Sequence, residues 1–483
     1  MTFTRRSFLQ RACATAAALA CGAPPAFTAD AERPNILFIY TDDQAVWSIA
    51  GLGHENPVTP HLDLFFDESV RCTNAFVTTP VCSPSRVGLL ASRYGTEVGI
   101  TDWINPRGGE HQRNEAELGL EPTLPTWVRQ LQGAGYRTGL VGKWHLGTQD
   151  RYHPSHFGYD YFAGFRPGGA PVENPPLEVD GEVREVPGMT MDVLTDLAED
   201  FIRGARQPFA LSLHYRAPHS PWLPVAEEDA AAYADRELTL PDPDFPDLDT
   251  ERAERMLREY LMSVTGVDRN VGRLLGLLAE LGLEENTIVV FTSDHGYHIG
   301  HNGIVHKGNG GWITNAVRGI PGHHPQGRRS NMFDLSLRVP LAVRWPGVLT
   351  PGEVTETVSN LDWYPTLLAM AGLEPEPDAT IHGRNFLPLL QGESVPWDND
   401  LYGEYSQHHY VETDLRMYRT PEWKLVRDFR NPGRDELYHL AADPEERVNL
   451  FYAREHYPVR ERLETALRAR MEALRDPVLD AAP

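Results

Sequence analysis

Asn35-Ile36-Leu37-Phe38-Ile39-Tyr40 is an unbroken apolar run, and it ends in Thr41-Asp42-Asp43. A strand that is apolar throughout is buried on both faces, as in a parallel sheet flanked by helices. Asp42 and Asp43 then stand at the C-terminal end of a strand, where open α/β sheets place their ligands. The same pair also reads as a helix N-cap with a solvated neighbour. The pattern recurs in Thr287-Ile288-Val289-Val290-Phe291-Thr292, which ends in Ser293-Asp294-His295-Gly296. Two shorter runs, Thr138 to Val141 and Phe209 to His214, behave alike. The first leads to Lys143 and His145, whose alternate positions let both side chains point the same way. The second leads into Arg216-Ala217-Pro218-His219-Ser220-Pro221, where prolines on both sides hold His219 in a turn.

Pro125 to Leu131, Glu251 to Leu283 and Asp362 to Ala371 read as helices, and Val339 to Trp345 reads as a further strand. This alternation predicts an α/β fold: a large, mostly parallel sheet sandwiched by helices. Residues 150–188 are rich in Pro, Gly and aromatics and read as loop-dominated. After Gln391 the composition turns more polar. Short strands at Met417 to Thr420, Trp423 to Val426 and Glu436 to Tyr438, then a helix at Val459 to Leu474, suggest a small antiparallel C-terminal unit. The expected division is residues 1–29, 30–395 and 396–483.

Between the first two acidic strand ends lies Val81-Cys82-Ser83-Pro84-Ser85-Arg86-Val87-Gly88-Leu89-Leu90. Pro84 suits the first turn of a helix, where a missing N–H costs little, and Ser83 and Ser85 are capping candidates. Cys82 at a helix N-terminus meets unpaired N–H groups and a dipole that favours negative charge. That describes an activated thiol or an anion site, set against a structural cysteine beside a helix start. Of four cysteines, Cys13 and Cys21 fall in the first 29 residues, so Cys72 and Cys82 remain and could pair in an oxidising compartment.

The chain of 483 residues has a net charge of −24, which argues against a general nucleic-acid or anionic-membrane binder. Thr4-Arg5-Arg6-Ser7-Phe8-Leu9, followed by an apolar Ala12 to Ala20, is a twin-arginine signal pattern, with cleavage expected near Ala29. Export to the periplasm through the twin-arginine translocon follows, and Ala18-Leu19-Ala20-Cys21 is a poor lipoprotein-type cleavage site. Arg318, His323, His324, Arg328 and Arg329 form a basic segment in this acidic protein. It reads either as a solvated insertion or as a lid that recruits an anionic substrate.

Cys-x-Pro-Ser-Arg at Cys82 to Arg86 resembles the signature of the formylglycine-dependent sulfatases. Gly-Tyr-x-Thr-x-x-x-Gly-Lys-x-His, from Gly135 to His145, resembles their second signature over its full length. A C-terminal run through Leu437, Tyr438, Leu440, Asp443, Pro444, Glu446, Asn449 and Leu450 resembles the small subdomain that ends these proteins. The resemblance implies an alkaline-phosphatase-like fold and a sulfuric ester hydrolase, with a sulfated carbohydrate as the expected substrate. It implies oxidation of Cys82 to formylglycine by a formylglycine-generating enzyme. Asp42, Asp43, Asp294, His295 and modified Cys82 would hold one divalent cation. Three carboxylates favour Ca²⁺, and the nitrogen of His295, where Asn is commoner, brings Mn²⁺ or Mg²⁺ into consideration.

By the same resemblance Arg86 supports the nucleophile, Lys143 and Lys307 clamp sulfate oxygens, His219 protonates the leaving oxygen and His145 removes a proton. Gly300-His301-Asn302-Gly303 departs from the family's usual Gly-Glu-His-Gly. This puts the placement of Lys307 in doubt and makes His298, His301 and His306 subsite candidates. A phosphonate monoester or phosphodiester hydrolase of the same superfamily is the alternative.

Overall fold

The computed structural model describes residues 33–205, 208–315 and 327–481. The signal pattern of residues 1–29, with Cys13 and Cys21, lies outside the described residues, as do Arg318, His323 and His324. A ten-stranded sheet runs through the molecule. In chain order its strands are β1 (Asn35–Thr41), β2 (Val70–Cys72), β3 (Arg137–Lys143), β4 (Tyr161–Phe165), β5 (Pro176–Val179), β6 (Glu182–Glu185), β7 (Phe209–His214), β8 (Thr287–Ser293), β9 (Leu341–Arg344) and β10 (Gly352–Val354). The spatial order is β10-β2-β9-β8-β1-β7-β3-β4-β5-β6. The five central strands β8, β1, β7, β3 and β4 are mutually parallel; β5 and β6 continue antiparallel on one side, and on the other β9 is antiparallel to both β8 and β2, with β10 parallel to β2 at the edge.

Every residue of β1 is buried, and successive side chains serve opposite layers. Ile36, Phe38 and Tyr40 pack with the helices α2 (Cys82–Ala91), α3 (Trp127–Gly133) and α6 (Trp363–Met370). Leu37 and Ile39 pack with α1 (Pro60–Asp67), α4 (Thr190–Arg203) and α5 (Thr250–Glu280). The molecule is therefore a three-layer α/β/α sandwich.

A second, antiparallel sheet consists of β11 (Leu401–Tyr405), β12 (Leu415–Arg419), β13 (Trp423–Asp428) and β14 (Glu436–His439). One of its faces buries Trp423, Leu425 and Leu437 against α7 (Tyr457–Leu474), and the other places Leu415, Met417 and Val426 in the main core.

One local expectation is refined and two change. Residues 150–188 are loop-rich as expected, but they also carry β4, β5 and β6, which extend the sheet there. The aromatic run Tyr161-Phe162-Ala163-Gly164-Phe165 pairs along β3, while the surrounding Pro and Gly residues mark its turns. Cys72 and Cys82 are both free and buried, so the disulfide is absent. Ser83 and Ser85 do not cap α2, whose N-cap is Val81. Their hydroxyls face other segments: Ser83 accepts the N–H of Ile104 at 3.0 Å, and Ser85 donates to the carbonyl of Asp294.

Two glycines let the strand ends approach. A Cβ on Gly164 would lie 2.0 Å from the carbonyl oxygen of Gly142, and one on Gly142, at φ +109°, would lie 2.0 Å from that of His214. Gly164→Ala must therefore push β4 away from β3. Thermal or urea unfolding is expected to show a loss of about 2–3 kcal/mol. An unchanged midpoint would mean the strands have slack that this packing denies them.

Candidate active site

The C-terminal ends of β1 and β8 are neighbours in register, with Thr41 opposite Ser293, so each strand delivers its acid to the same place. Backbone bonds hold the junction. Asp294 N–H donates to Thr41 at 3.0 Å, Asp42 N–H to Ala217 at 3.3 Å, and Asp43 N–H to the Asp294 carboxylate at 3.3 Å. Asp42, Asp43, Asp294 and His295 are all buried.

Each carboxylate has a cation beside it. Lys143 Nζ lies 2.5 Å from Asp42, Lys307 Nζ lies 2.6 Å from Asp43, and Arg86 Nη2 lies 2.9 Å from Asp294. Cys82, the first residue of α2, points into the centre of this group. Its Sγ is 3.5 Å from Asp42 Oδ1, 3.4 Å from His295 Nε2 and 3.4 Å from Lys307 Nζ.

The charges are unevenly held. Burial alone would raise Asp42, but Lys143 and the other cations hold its carboxyl well below the usual range. Burial raises Asp43 and Asp294, and their acidic neighbours add to the shift. Burial and then Asp42 push the Cys82 thiol up to about 12, so it is neutral at ordinary pH. Burial and Lys307 hold His295 and His219 well below the ordinary imidazole range, and burial and Lys143 do the same for His145.

The donor set suits a cation. His295 Nδ1 is 3.0 Å from the carbonyl of Gly296, which makes it the N–H donor and leaves a lone pair on Nε2. That lone pair faces carboxylate oxygens of Asp294 at 3.3 Å, Asp43 at 3.4 Å and Asp42 at 4.0 Å. Acceptors facing acceptors in a buried pocket are repulsive unless a positive charge sits among them. One donor atom each from Asp42, Cys82, Asp294 and His295 lies within 4.8 Å of the others, and His219 groups with Asp42 and Asp43 in the same way.

A cavity of about 440 Å³ opens over this group, with Asp43, Cys82, His145, His219, His306 and Lys307 among its lining residues. Asp43 (φ 70°), His145 (φ 59°) and His306 (φ 75°) all hold left-handed backbone, strain of the kind found where a site over-determines its geometry. His145 Nε2 is 3.0 Å from the Ile104 carbonyl, and its buried Nδ1 has no hydrogen-bond partner among the described residues. His219 is bonded at Nδ1 to the Ser220 carbonyl (2.6 Å) and presents Nε2 3.9 Å from Asp43.

All ten residues singled out from the sequence therefore come together, with two differences in detail. Lys143 is completely buried against Asp42 and does not line the cavity, so it does not share a surface with His145. Arg86, expected at the nucleophile, turns its guanidinium to Asp294, to the Lys143 carbonyl (3.1 Å) and to His214 Nδ1 (3.3 Å). His214 was not foreseen; its only sequence signal is its place as the last residue of a buried strand.

Of the subsite histidines, only His306 lines the cavity. His298 Nε2 bonds Ser336 at 3.0 Å, and His301 packs on Trp47, with ring centroids 5.0 Å apart. A separate group of Asp102, His408 and His409 has metal-like spacing, but its atoms are already engaged. Asp102 accepts from Tyr405 and from the N–H groups of Trp103, His408 and His409, while both imidazoles reach Glu115. That group is a brace.

A family model described as Sulfatase matches residues 34–373, and one described as the C-terminal part of N-sulphoglucosamine sulphohydrolase matches residues 322–473. The chain is 26% identical to an N-acetylglucosamine-6-O-sulfatase of Bacteroides thetaiotaomicron, over 87% of this chain and 83% of that one. It is 31% identical to a steryl-sulfatase of Mus musculus, over 84% and 72%. Among solved structures, it superposes on a protein captured with its substrate D-glucosamine-2-N,6-O-disulfate. That match has a TM-score of 0.76 at 24% identity and covers 92% of this chain and 99% of the other. With a family match spanning both acidic strand ends, Cys82 and the strand of Lys143, the chain belongs to the sulfatase family and is a sulfuric ester hydrolase.

Proposed function

We propose that this hydrolase removes sulfate from a sulfated carbohydrate, using a formylglycine made from Cys82 and one divalent cation held by Asp42, Asp43, Asp294 and His295. The observation that carries the reading is the position of Cys82 Sγ, at a helix N-terminus within 3.5 Å of Asp42, His295 and Lys307 at the base of the cavity. A thiol kept neutral there is a poor nucleophile. A hydrated aldehyde at the same atom offers one hydroxyl to attack sulfur and a second whose deprotonation expels sulfate and restores the aldehyde.

Charge balance supports the cation. Three carboxylates already face Lys143, Lys307 and Arg86, which leaves the group neutral. A divalent ion is then matched by a sulfate ester anion and an ionised hydroxyl. When bound, the ion polarises a sulfate oxygen and favours the ionised nucleophile; the three carboxylates make Ca²⁺ the first choice.

The side chains divide the remaining work. Lys307, at the cavity floor, holds a sulfate oxygen, and Lys143, buried beneath the cavity, holds Asp42 in its ionised form. His219 Nε2, which faces the cavity while Nδ1 is tied to Ser220, delivers a proton to the leaving alcohol. Burial and Lys307 keep this imidazole neutral at rest, so Nε2 takes up a proton from solvent in the open cavity as the anionic ester binds, and that proton passes to the leaving oxygen. His145 Nδ1 accepts the proton of the second hydroxyl. Arg86 orients Asp294.

A carbohydrate is favoured because the walls combine hydrogen-bonding groups (Asn105, Arg107, His145, His219, His306, Arg328) with the apolar and aromatic surfaces of Trp103, Ile104 and Tyr410, which together suit the hydroxyl edges and apolar faces of a sugar ring. The twin-arginine pattern supports export to the periplasm after maturation of Cys82 in the cytoplasm.

Two outcomes are expected. In matured enzyme, identified by mass at the Cys82 peptide, Cys82→Ala should lower sulfate release from sulfated sugars by at least about 10³-fold. Release that survives the substitution removes Cys82 from the reaction, and cleavage of an aryl phosphonate in place of sulfate esters would move the enzyme to the phosphonate hydrolases. Purified protein should contain one divalent ion per chain. His295→Ala should weaken its retention on the order of tenfold or more, since even residues behind a metal ligand are worth that much. Elemental analysis after dialysis checks this independently of turnover, and unchanged metal content would exclude His295 from the site.

A further inference from the structure

Beyond the reacting centre, one wall of the cavity is built from chain segments about three hundred residues apart, and it carries a charge that the sulfate chemistry does not use. Trp103, Asn105, Arg107, Arg328 and Tyr410 line it. Tyr410 adopts φ 67°, and its N–H bonds the carbonyl of His111 at 2.7 Å. Gln112 bridges the wall, donating to the Tyr410 hydroxyl and accepting from Asn105 Nδ2 at 2.7 Å. Trp103 packs on His409, with ring centroids 4.4 Å apart, and the Asp102 brace fixes that turn from behind. The wall joins the nucleophile's helix through Ile104, whose N–H donates to Ser83 and whose carbonyl meets His145.

Two cations line this wall, Arg107, which is exposed, and Arg328, which is half-buried and held by its neighbours. The guanidinium carbon of Arg328 lies over the Tyr410 ring, 4.1 Å from its centroid, and Nη1 donates to the carbonyl of Asn309 at 3.4 Å, two residues from Lys307. The next residue, Arg329, is neutralised by Glu436, whereas Arg328 meets no carboxylate among the described residues. Asp43 is the sole acid among the lining residues described, and Lys307 occupies it. Stacking on an aromatic face leaves the edge of a guanidinium free for a planar or tetrahedral anion. The sulfate under attack is already served by Lys307 and the cation site, so a second guanidinium in a chain of net charge −24 answers to a second anion.

We propose that Arg328, positioned by Tyr410, makes this enzyme selective for sugar sulfates that carry a second anionic group, either a carboxylate or another sulfate. The proposal rests on the reading of the site as that of a carbohydrate sulfatase. Of the basic residues noted in the sequence, it assigns recruitment to Arg328 and a structural pairing to Arg329.

Steady-state kinetics on matched substrates tests this. The panel is glucosamine 6-O-sulfate, glucosamine 2-N,6-O-disulfate, and a monosulfated disaccharide with and without its uronate carboxylate. Wild-type enzyme should have the higher kcat/KM on a doubly anionic member of each productive pair, and the pair that shows it distinguishes carboxylate from sulfate. Arg328→Ala should reduce kcat/KM about 10–100-fold on that member, mainly through KM, and at least tenfold less on its singly anionic partner. Arg328→Lys, which keeps the charge but not the fork, should recover part of the loss.

Equal losses on both members, or a wild-type preference for the singly charged sugar, would overturn the proposal while leaving the sulfatase reading intact. If matured wild-type enzyme releases sulfate from no member, the carbohydrate reading fails and this proposal falls with it. The comparison is internal to each variant, so a loss of folded protein scales both members alike and cannot imitate selectivity.

Discussion

Three carboxylates buried within a few ångströms of one another are the constraint on which the rest of the molecule depends. Asp42, Asp43 and Asp294 repel each other in a medium that screens poorly, and any one left unpaired would cost several kcal/mol. Lys143, Lys307 and Arg86 answer them one for one, and each arrives from a different part of the chain. The pairs cannot form until β1, β3, β8, α2 and the loop of Lys307 are all in place. The site therefore depends on the complete fold, and two large apolar layers hold the strands beneath it.

The sheet brings the charges together without long side-chain excursions. Parallel strands expose their C-terminal ends on one edge, and the in-register pairing of β1 with β8 sets Asp42 and Asp294 side by side. Glycines at 142 and 164 remove the side chains that would hold β3 and β4 apart. Left-handed backbone at Asp43, His145 and His306 turns side chains toward the cavity at a cost of roughly 1–3 kcal/mol each, a cost small against the burial on either side of the sheet. Rigidity at the strand ends and irregular geometry just beyond them are two aspects of the same design.

How far the sequence could be read follows from this division. β1 and β8 were legible because two-faced burial leaves an unbroken apolar run, and their terminal acids stood out for lack of any apolar role. Lys143, His145, His219 and Lys307 were legible only through the pattern around Cys82 and Gly135, since a single Lys or His beside a strand has no local signature. The strands β4 to β6 were hidden by the prolines and glycines that turn the chain between them. Ser83 and Ser85 misled because capping is a local rule, and here tertiary partners at Ile104 and Asp294 took both hydroxyls. His214 and the Tyr410 wall were out of reach for a plainer reason: nothing near them in sequence marks what they meet in space.

The same division separates chemistry from selection. The residues proposed to handle sulfate sit at strand ends, on the first turn of α2 and on the loop of Lys307, where a small shift would disturb several buried ion pairs together. The outer wall draws on the 103–112 and 405–410 segments, tied to each other by Asp102, Glu115 and Gln112, and on Arg328, which rests on Tyr410. Its only links to the reacting centre described above are Ile104 and the short path from Asn309 to Lys307. Side chains on that wall can change without unpairing a buried charge, so the physics permits substrate preference to vary over a fixed reaction. A strongly anionic protein can then accept an anionic sugar because repulsion acts over the whole surface in a screened solvent, whereas the cavity's cations act at contact distance, where screening is weakest.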